Sequence, residues 1–433
     1  MKRYRRQFLT TCLSIIGGST SFAGYATSEV RNRLNPLNQM GSVLIIGGGF
    51  AGSSLANFIT FLSAGRIAVT LIDKNKNYYS CPMSNLVLGG TKPLSYLSQS
   101  YDVLVRKGVN FVHDDVVSID PSKRKVKTLT GRNFTADKLV ICPGIDLKFS
   151  AIDGMDEEAR RTILHGWRAG NQTLGLNKQI TQIKDGGVVL ISVPNAPYRC
   201  PPGPYERACQ IAMYLKRFKP RSKVIILDAN AEIQSKKKLF IEAWDKHYKD
   251  YIEYIPNFEV VEVDKKKQAL YSQFGDEIIG QVLNVIPPNT AGRIAHKAGL
   301  VTDNNRWCGV NWQSMESVLF KNVYVLGDAT LSASKMPKSA HMANQHSKVA
   351  AIDIVSSLSE RDPLKNYKIA NACYSFINRR EAVYVTRVYS FNSSDGTIKP
   401  IKSAGGLSNK PSLVEGDRAY LWAKNIWADA FGY

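Results

Sequence analysis

Cys200 has the setting in which a cysteine side chain does redox or nucleophilic chemistry. It comes just before a predicted helix whose first turn contains Pro204 and Glu206, and Arg199 and Arg207 lie close to it in sequence. A thiol at a helix N-terminus beside cationic groups tends to have a lowered pKa, which makes it a better nucleophile or leaving group. Most isolated cysteines are inert, so these residues leave both a redox cysteine and a packed thiol open.

A glycine-rich loop between a predicted strand and a predicted helix is suited to binding a dinucleotide. Strand, loop and helix are residues 42–46, 47–52 and 53–63. Gly47 and Gly49 allow the tight turn and the close approach of a pyrophosphate, and Gly52 lets the helix pack close to the strand. The phosphates would lie at the helix N-terminus, where unpaired backbone N–H groups favour an anion.

An acidic residue completes this motif. A second predicted strand, at 67–72, ends at Asp73, which lies 21 residues beyond Gly52. A carboxylate at this position is suited to accept a hydrogen bond from a ribose hydroxyl. A glycine loop alone is weak evidence, but strand, loop, helix, strand and acid in this order predict a dinucleotide site.

Two later patterns indicate which dinucleotide binds. A predicted strand at 139–142 ends in the turn Pro143-Gly144, and another at 323–326 ends in Gly327 and Asp328. These patterns resemble those that close the first dinucleotide domain of flavoproteins with two such domains, where the second aspartate contacts the ribityl and phosphate region. That resemblance implies FAD at the first site.

The middle of the chain is typical of a second dinucleotide-binding unit that lacks its glycine loop. A strand at 187–192, a helix at 205–218 and a strand at 223–228 are predicted there. The connecting segment 193–204 is rich in proline and holds Cys200. Prolines lack the N–H groups that cradle a pyrophosphate, so we expect no nicotinamide cofactor.

Composition excludes several classes of protein. The chain has 433 residues, 44% of them hydrophobic, which predicts a globular protein of two or three domains. Beyond the N-terminal segment no run of 18 uncharged apolar residues occurs, so we expect no integral membrane segment. The sequence contains no CxxCH, paired CxxC or HExxH motif, so it predicts neither a haem site nor a metal site.

The formal charge of +21 suits an acidic partner or anionic substrate. Lysine runs at 236–238 and 265–267 indicate solvated faces rather than a nucleic-acid site.

The N-terminal segment has the features of an export signal. Residues 1–26 carry four basic and no acidic side chains, followed by an apolar run and small residues. The core at 5–9, RRQFL, resembles a twin-arginine signal. Such a signal implies export of the folded protein to the bacterial periplasm, whereas a frayed basic N-terminus is the alternative.

Five stretches together resemble the flavoprotein subunit of flavocytochrome c sulfide dehydrogenase. They are residues 78–81, 199–208, 286–288, 336–339 and 372–375. More distant similarity extends to sulfide:quinone oxidoreductases and glutathione reductase-like flavoproteins. The resemblance implies an α/β fold with two Rossmann-like dinucleotide-binding domains and a smaller C-terminal α+β domain. The expected divisions are a signal peptide at 1–26, a discontinuous FAD-binding domain at 41–155 and 281–355, a second Rossmann-like domain at 156–280, and a C-terminal flavin-interface domain at 356–433.

The resemblance also implies roles for three cysteines. Cys81 matches the residue that, in the family, bonds covalently to the 8α-methyl group of FAD, although Pro82 and Met83 depart from the commoner residues beside it. A buried thiol next to the flavin is the alternative. Cys200 and Cys373, 173 residues apart, match the pair that forms a redox-active disulfide over the flavin.

The implied reaction is the oxidation of hydrogen sulfide to polysulfide or sulfur. Hydrosulfide attacks the Cys200–Cys373 bond, which leaves a persulfide on one cysteine and a thiolate on the other, and two electrons pass to FAD. The residues do not decide which sulfur is attacked, though the helix-terminal setting of Cys200 favours it as the leaving thiolate. Lys338 is implied to stabilise the negative charge of the reduced flavin. The expected electron acceptor is a separate c-type cytochrome subunit in a heterodimer.

Two other functions stay open. The stretch 419–431 places Trp422, Ile426 and Ala430 on one helical stripe, which would suit a peripheral membrane sulfide:quinone oxidoreductase. We favour a helix that packs on the core or on a partner. A flavin-bearing redox partner without sulfide activity is the third possibility.

Overall fold

The computed structural model describes residues 39–432, so the predicted signal peptide at 1–26 lies outside the described residues. The strands are β1 Gly41–Ile46, β2 Ile67–Asp73, β3 Asn77–Tyr79, β4 Ser98–Ser100, β5 Asn110–His113, β6 Val116–Asp120, β7 Lys125–Thr128, β8 Asn133–Thr135, β9 Lys138–Ile141, β10 Ile145–Leu147, β11 Val188–Val193, β12 Lys223–Asp228, β13 Ile252–Pro256, β14 Val260–Asp264, β15 Ala269–Ser272, β16 Glu277–Ile279, β17 Val282–Val285, β18 Asn289–Ala291, β19 Val323–Val325, β20 Lys368–Phe376, β21 Ala382–Asn392 and β22 Thr397–Leu407. The helices are α1 Phe50–Leu62, α2 Ser84–Leu88, α3 Asp102–Arg106, α4 Ala159–Thr162, α5 Asn171–Gln182, α6 Gly203–Phe218, α7 Lys237–His247, α8 Arg293–Lys297, α9 Ala340–Leu358 and α10 Leu413–Phe431.

The first parallel sheet has the strand order β19-β9-β1-β2-β5. β1 pairs with β2 from Gly41 opposite Ile67 to Ile46 opposite Ile72. β9 is buried along its whole length, as expected for a parallel strand that is covered on both faces. β19 joins β9 from a distant part of the sequence, so this sheet is built from two separate stretches of the chain. The carboxyl ends of its strands meet at one edge, where ligands bind in such sheets.

Two glycines allow β1 and α1 to meet at this edge. Gly47 has φ +100°, and a Cβ atom there would lie 2.3 Å from the carbonyl oxygen of Cys142. A Cβ atom on Gly52 would lie 1.9 Å from the carbonyl oxygen of Gly47. Side chains at either position are sterically excluded, which agrees with the predicted tight turn and close helix packing. The helix begins three residues earlier than predicted, at Phe50.

The second parallel sheet has the order β13-β12-β11-β17. β11 lies between β12 and β17, and a proline-rich loop leads from its end into α6. The antiparallel strands β14, β15 and β16 follow. The predicted pattern of a second doubly wound unit is therefore confirmed, and the predicted domain boundaries stay predictions.

The C-terminal part consists of a three-stranded antiparallel sheet and the helix α10. β20 pairs with β21 from Lys368 opposite Ser390 to Phe376 opposite Ala382. In the apolar stripe of α10, Ile426 and Ala430 are buried and Trp422 is half-buried. The helix packs against α1 and β21. The preferred interpretation of a helix packed on the core is therefore confirmed. Within residues 39–432, no helix combines the length and apolarity needed to cross a bilayer.

Candidate active site

A single cavity of about 900 Å³ opens at the carboxyl edge of the first sheet and extends to α6 and β20. Most of the residues that the sequence singled out line this cavity, and they come from widely separated parts of the chain. They are Gly47, Gly49, Asp73, Cys81, Pro143, Gly144, Cys200, Gly327, Asp328 and Cys373. Gly52 lies behind the wall, in the contact between α1 and β1.

The glycine loop and the acid at the end of β2 are joined by hydrogen bonds. The Asp73 carboxylate accepts the backbone N–H of Gly48 at 2.6 Å and that of Asn75 at 2.7 Å. The carboxylate is thus fixed at the cavity wall beside the loop. Its contact with a ribose hydroxyl stays a prediction.

Two buried polar atoms at the cavity indicate that a ligand belongs there. Oδ1 of Asp328 and Nε1 of Trp167 are buried and have no hydrogen-bond partner among residues 39–432. Burial raises the pKa of the Asp328 carboxyl, while the nearby cations Arg199 and Lys338 oppose that rise. A buried polar atom without a partner costs about 1–3 kcal/mol. Ligand hydroxyl groups and carbonyl oxygens satisfy such atoms, so the cavity fits FAD.

Cys81 lies on the cavity wall after β3. Its thiol is half-buried and lies 3.9 Å from the carbonyl oxygen of Trp167. The Arg199 guanidinium donates to the same carbonyl oxygen. Tyr78, also on the wall, contacts Phe50 edge-on at a ring-centroid distance of 5.5 Å. The cysteine is therefore held beside a cation and an aromatic ring, and covalent attachment to FAD stays a prediction.

Cys200 and Cys373 reach the cavity from different elements. Cys200 precedes α6 with φ +57°, in the left-handed region, and its N–H donates to the carbonyl oxygen of Lys338 at 2.8 Å. Cys373 lies on β20, opposite Val385 of β21. Both are half-buried free thiols in the described part of the chain.

The environment of Cys200 corrects the expectation of a lowered thiol pKa. Burial raises the pKa of Cys200, and Cys373 and Glu206 raise it further, against the smaller effects of Arg199 and Lys236. Burial likewise raises the pKa of Cys373. The thiol lies before the start of a buried helix rather than in solvent, so loss of hydration outweighs the helix terminus and the neighbouring cations. The spacing of residues in the sequence did not indicate that the Cys200 thiol loses its hydration.

Glu206 connects the elements that carry the two cysteines. Its carboxylate accepts the side-chain N–H of Asn85 at 2.8 Å and the backbone N–H of Phe376 at 2.7 Å. Burial raises the pKa of this carboxyl. The sequence placed Glu206 in the first turn of the helix without a role, and only the fold shows that it lines the cavity beside both thiols.

Arg207 is a second buried charge that the sequence did not place in the site. It is 1% exposed and donates to the carbonyl oxygen of His165 and to Oδ1 of Asn284, each at 2.8 Å. It also donates to the carbonyl oxygen of Gly166 at 2.6 Å. This network fixes the start of α6, and with Arg199 it makes the cavity favourable for anions.

Lys338 is a buried cation that acts on the cavity-lining Asp328. Its ammonium group donates to the carbonyl oxygen of Thr330 and lies 3.5 Å from the centre of the Trp307 ring. Burial lowers the pKa of Lys338 to about 7. Its contact with a flavin ring stays a prediction. The carbonyl oxygen of Lys338 accepts the N–H of Cys200.

The helix α10 supplies an aromatic part of the wall. Trp422 lines the cavity and contacts His341 at a ring-centroid distance of 6.2 Å. Trp427 donates its indole N–H to the hydroxyl of Ser80 at 2.9 Å, and Phe431 stacks on Tyr78. The predicted stripe therefore belongs to the site and to the core around it.

Three family models match the chain. Residues 41–182 match pyridine nucleotide-disulphide oxidoreductases. Residues 173–287 match the central part of the flavocytochrome c sulfide dehydrogenase flavoprotein chain. Residues 365–431 match the flavin-binding part of flavocytochrome c sulphide dehydrogenase.

Individual proteins are similar to this chain at low sequence identity. Mitochondrial sulfide:quinone oxidoreductase of Mus musculus is 23% identical over 354 residues, 76% of this chain and 74% of that protein. The structure of sulfide:quinone oxidoreductase from Aquifex aeolicus matches with a TM-score of 0.73 at 18% identity, over 90% of this chain and 91% of that one. A chain of the covalent putidaredoxin reductase–putidaredoxin complex matches with a TM-score of 0.64 at 14% identity, over 90% of this chain and 93% of that one.

The fold and the site define a flavoprotein of the pyridine nucleotide-disulphide oxidoreductase class. The two models for flavocytochrome c sulfide dehydrogenase define a narrower family. One covers the loop that holds Cys200, and the other covers the strand that holds Cys373. The chain belongs to the family of flavoprotein subunits of flavocytochrome c sulfide dehydrogenase, and its cofactor is FAD. The predicted family, fold class and role as a sulfide dehydrogenase flavoprotein subunit are confirmed.

Proposed function

We propose that this chain oxidises hydrogen sulfide at a redox-active disulfide between Cys200 and Cys373 and passes the electrons, through FAD, to a c-type cytochrome subunit. One observation carries the proposal. Both cysteines line the cavity whose other walls are formed by the predicted FAD-binding residues. A dithiol and a flavin exchange electrons only when they are neighbours, so a shared cavity supports the proposal.

The chemistry begins from the disulfide form. Hydrosulfide attacks one sulfur, the sulfur–sulfur bond breaks, and the products are a cysteine persulfide and a cysteine thiolate. A second hydrosulfide takes the outer sulfur of the persulfide, which releases H₂S₂ and leaves both cysteines reduced. FAD, when bound, accepts the two electrons that restore the disulfide. Hydrogen sulfide is thereby oxidised to polysulfide.

Glu206 is placed to accept the proton that hydrogen sulfide releases. Its carboxyl lines the cavity and influences the pKa of both Cys200 and Cys373. The hydrogen bonds from Asn85 and Phe376 hold it in place. A general base in reach of the substrate converts the neutral form into the attacking anion.

Covalent attachment of FAD through Cys81 is part of the proposal. The half-buried thiol lines the cavity beside Tyr78 and Arg199. Acid precipitation of the wild-type protein is expected to leave a yellow pellet. Cys81→Ser is expected to give a colourless pellet, whereas Cys308→Ala, which replaces a buried thiol outside the cavity wall, keeps the colour.

Export to the periplasm by the twin-arginine route is also proposed, on the basis of the signal-like segment 1–26. Replacement of Arg5 and Arg6 by lysine is expected to retain the protein in the cytoplasm. Fractionation of cells that express the full chain measures this. Periplasmic accumulation of the variant would reject that route.

A quinone is the second candidate acceptor, because the curated relative from Mus musculus is a sulfide:quinone oxidoreductase. Ile426 and Ala430 of the α10 stripe are buried in the protein, and Trp422 lines the cavity. This placement favours the cytochrome. Parallel assays of sulfide oxidation with cytochrome c and with a short-chain quinone measure the preference.

Anaerobic titration with sulfide, followed by flavin absorbance, tests the reaction itself. We expect the flavin of the wild-type protein to be bleached and that of Cys200→Ser to stay oxidised. If sulfide leaves the wild-type flavin oxidised even with cytochrome c present, the disulfide route is wrong and a non-catalytic flavin-bearing partner takes its place.

A further inference from the structure

Lys236 is a buried cation that the proposed reaction has not used. It is 6% exposed, and its ammonium group donates to the hydroxyl of Ser375 at 2.7 Å. The next two residues, Lys237 and Lys238, have side chains that are 52% and 85% exposed. One lysine of a run of three is therefore turned into the protein, and lysines are almost never fully buried unless they are paired.

The strand β20 brings this ammonium group to the cysteine pair. Ser375 and Cys373 are two residues apart, so their side chains project from the same face of the strand, about 7 Å apart. Lys236 therefore lies on the face of β20 that carries Cys373. Because its hydrogen-bond acceptor is a neutral hydroxyl, that bond supplies no negative charge to balance the ammonium.

The charged groups near the two cysteines do not affect both thiols equally. Lys236 is the main cation that lowers the pKa of Cys373, and Glu206 of α6 opposes it. Cys200 has Arg199 as its first cation, with Lys236 second. Burial lowers the pKa of Lys236, and among the groups that oppose this effect Cys373 comes before Glu206 and Cys200. Cys373 is thus the sulfur at which a negative charge is best balanced by Lys236.

We propose that Lys236 is a positioning residue that stabilises the Cys373 thiolate and so directs hydrosulfide to the Sγ atom of Cys200. The inference rests on the proposed function. In this step the hydrosulfide sulfur bonds to Cys200, the sulfur–sulfur bond breaks, and its electron pair stays on Cys373, opposite the ammonium group. No proton moves. The assignment reverses the sequence-based preference for Cys200 as the leaving thiolate.

Alkylation of the reduced, FAD-containing protein measures the thiolate directly and needs no sulfide. Iodoacetamide is applied across a pH series, and the Cys200 and Cys373 peptides are quantified by mass spectrometry. Because an opposite charge nearby favours the thiolate, Lys236→Met is expected to slow the alkylation of Cys373 about tenfold at pH 8. Lys238→Met is the matched control and leaves the rate unchanged, and Lys236→Arg restores the wild-type pH profile.

The position of the persulfide gives an independent readout. One equivalent of sulfide is added to the oxidised protein, the products are trapped, and the extra sulfur is located. We expect it on Cys200 in the wild type and on both cysteines in Lys236→Met. Lys236→Gln, which keeps a donor for Ser375, serves as the second neutral variant if Lys236→Met fails to retain FAD.

The results that would overturn the role of Lys236 differ from those that would overturn the proposed function. An unchanged pH profile for Cys373 in both neutral variants, or a wild-type persulfide on Cys373, overturns the role of Lys236. Failure of sulfide to bleach the wild-type flavin overturns the proposed function, and the alkylation comparison still reports on Lys236 in that case.

Discussion

Replacement of Phe431 by alanine tests whether the C-terminal helix is part of the core. Phe431 is fully buried at the end of α10. Its ring stacks on Tyr78 at a centroid distance of 5.5 Å and an interplanar angle of 25°, and it meets Phe50 edge-on at 6.2 Å. It also contacts Tyr101 at 6.1 Å. The side chain thus joins the last helix to the wall of the flavin cavity.

The expected loss of stability follows from these contacts. Removing a buried phenylalanine side chain costs about 3–5 kcal/mol, because apolar burial is lost and a cavity is left. Each aromatic pair contributes about 0.5–1.5 kcal/mol beyond the buried area. Since Phe431 takes part in three ring contacts, we expect Phe431→Ala to lower the free energy of unfolding by about 4–5 kcal/mol, the upper half of that range.

Urea unfolding of the FAD-containing protein without lipid or detergent, followed by circular dichroism, measures this change. Leu421→Ala is the matched control, because Leu421 lies on the same helix and is 59% exposed. We expect the control to change stability by less than about 0.5 kcal/mol. If Phe431→Ala unfolds at the same urea concentration as the wild type, α10 does not contribute to the core in water. The membrane interpretation of its apolar stripe would then regain support.

Three further predictions concern charges around the cavity. Glu206→Gln is expected to speed the alkylation of both active-site thiols at pH 7.5, because the carboxylate raises their pKa; equal rates would show that its charge does not act on them. In a Cys81→Ser background, Asp328→Ala is expected to weaken FAD binding at least about tenfold in fluorescence titrations, since a hydrogen bond to a charged group contributes about 1.5–3 kcal/mol. Burial lowers the pKa of Lys338 to about 7, so above that pH the unfolded chain binds a proton that the folded protein does not. Stability of the FAD-free protein is therefore expected to rise between pH 7 and 10, by up to about 1.4 kcal/mol per pH unit from this group, and Lys338→Met is expected to show a smaller rise in urea titrations.

The site combines cations with two buried carboxyl groups in one enclosure. Arg199 and Arg207 line the cavity, and Lys236 lies just behind it. Asp328 and Glu206 line the same cavity. The cations favour an anionic cofactor and an anionic substrate, while burial raises the pKa of both thiols. In the proposed reaction a thiolate forms when hydrosulfide breaks the disulfide.

Local motifs in the sequence were sufficient for the cofactor half of the site. The glycine loop, Asp73 and the strand ends at Gly144 and Asp328 depend on backbone patterns that repeat in every doubly wound sheet. Such patterns need only neighbours in sequence, and the sheet then places all its carboxyl ends at one edge. The resemblance to the sulfide dehydrogenase family added the cysteines, which local patterns do not pair.

Electrostatic properties were the part that sequence spacing predicted wrongly. The cations near Cys200 in sequence suggested a lowered pKa, but burial outweighs them. Burial lowers the pKa of Lys338 to about 7, which its position in the sequence did not indicate. Lys236, in a run that is typical of a solvated face, is turned inward to Ser375. Burial depends on contacts between distant segments, so neither the sign of a pKa shift nor the direction of a side chain follows from spacing.

By itself, the sequence determined the fold class, the FAD motif, the absence of a glycine loop in the second unit and, through its motifs, the family. Tertiary structure alone decided that Glu206 of α6 and Lys236 both bond to the strand that carries Cys373. The physical reason is that hydrophobic periodicity and glycine loops act over a few residues. Desolvation and pairing of charges depend on which distant surfaces the folded chain brings together.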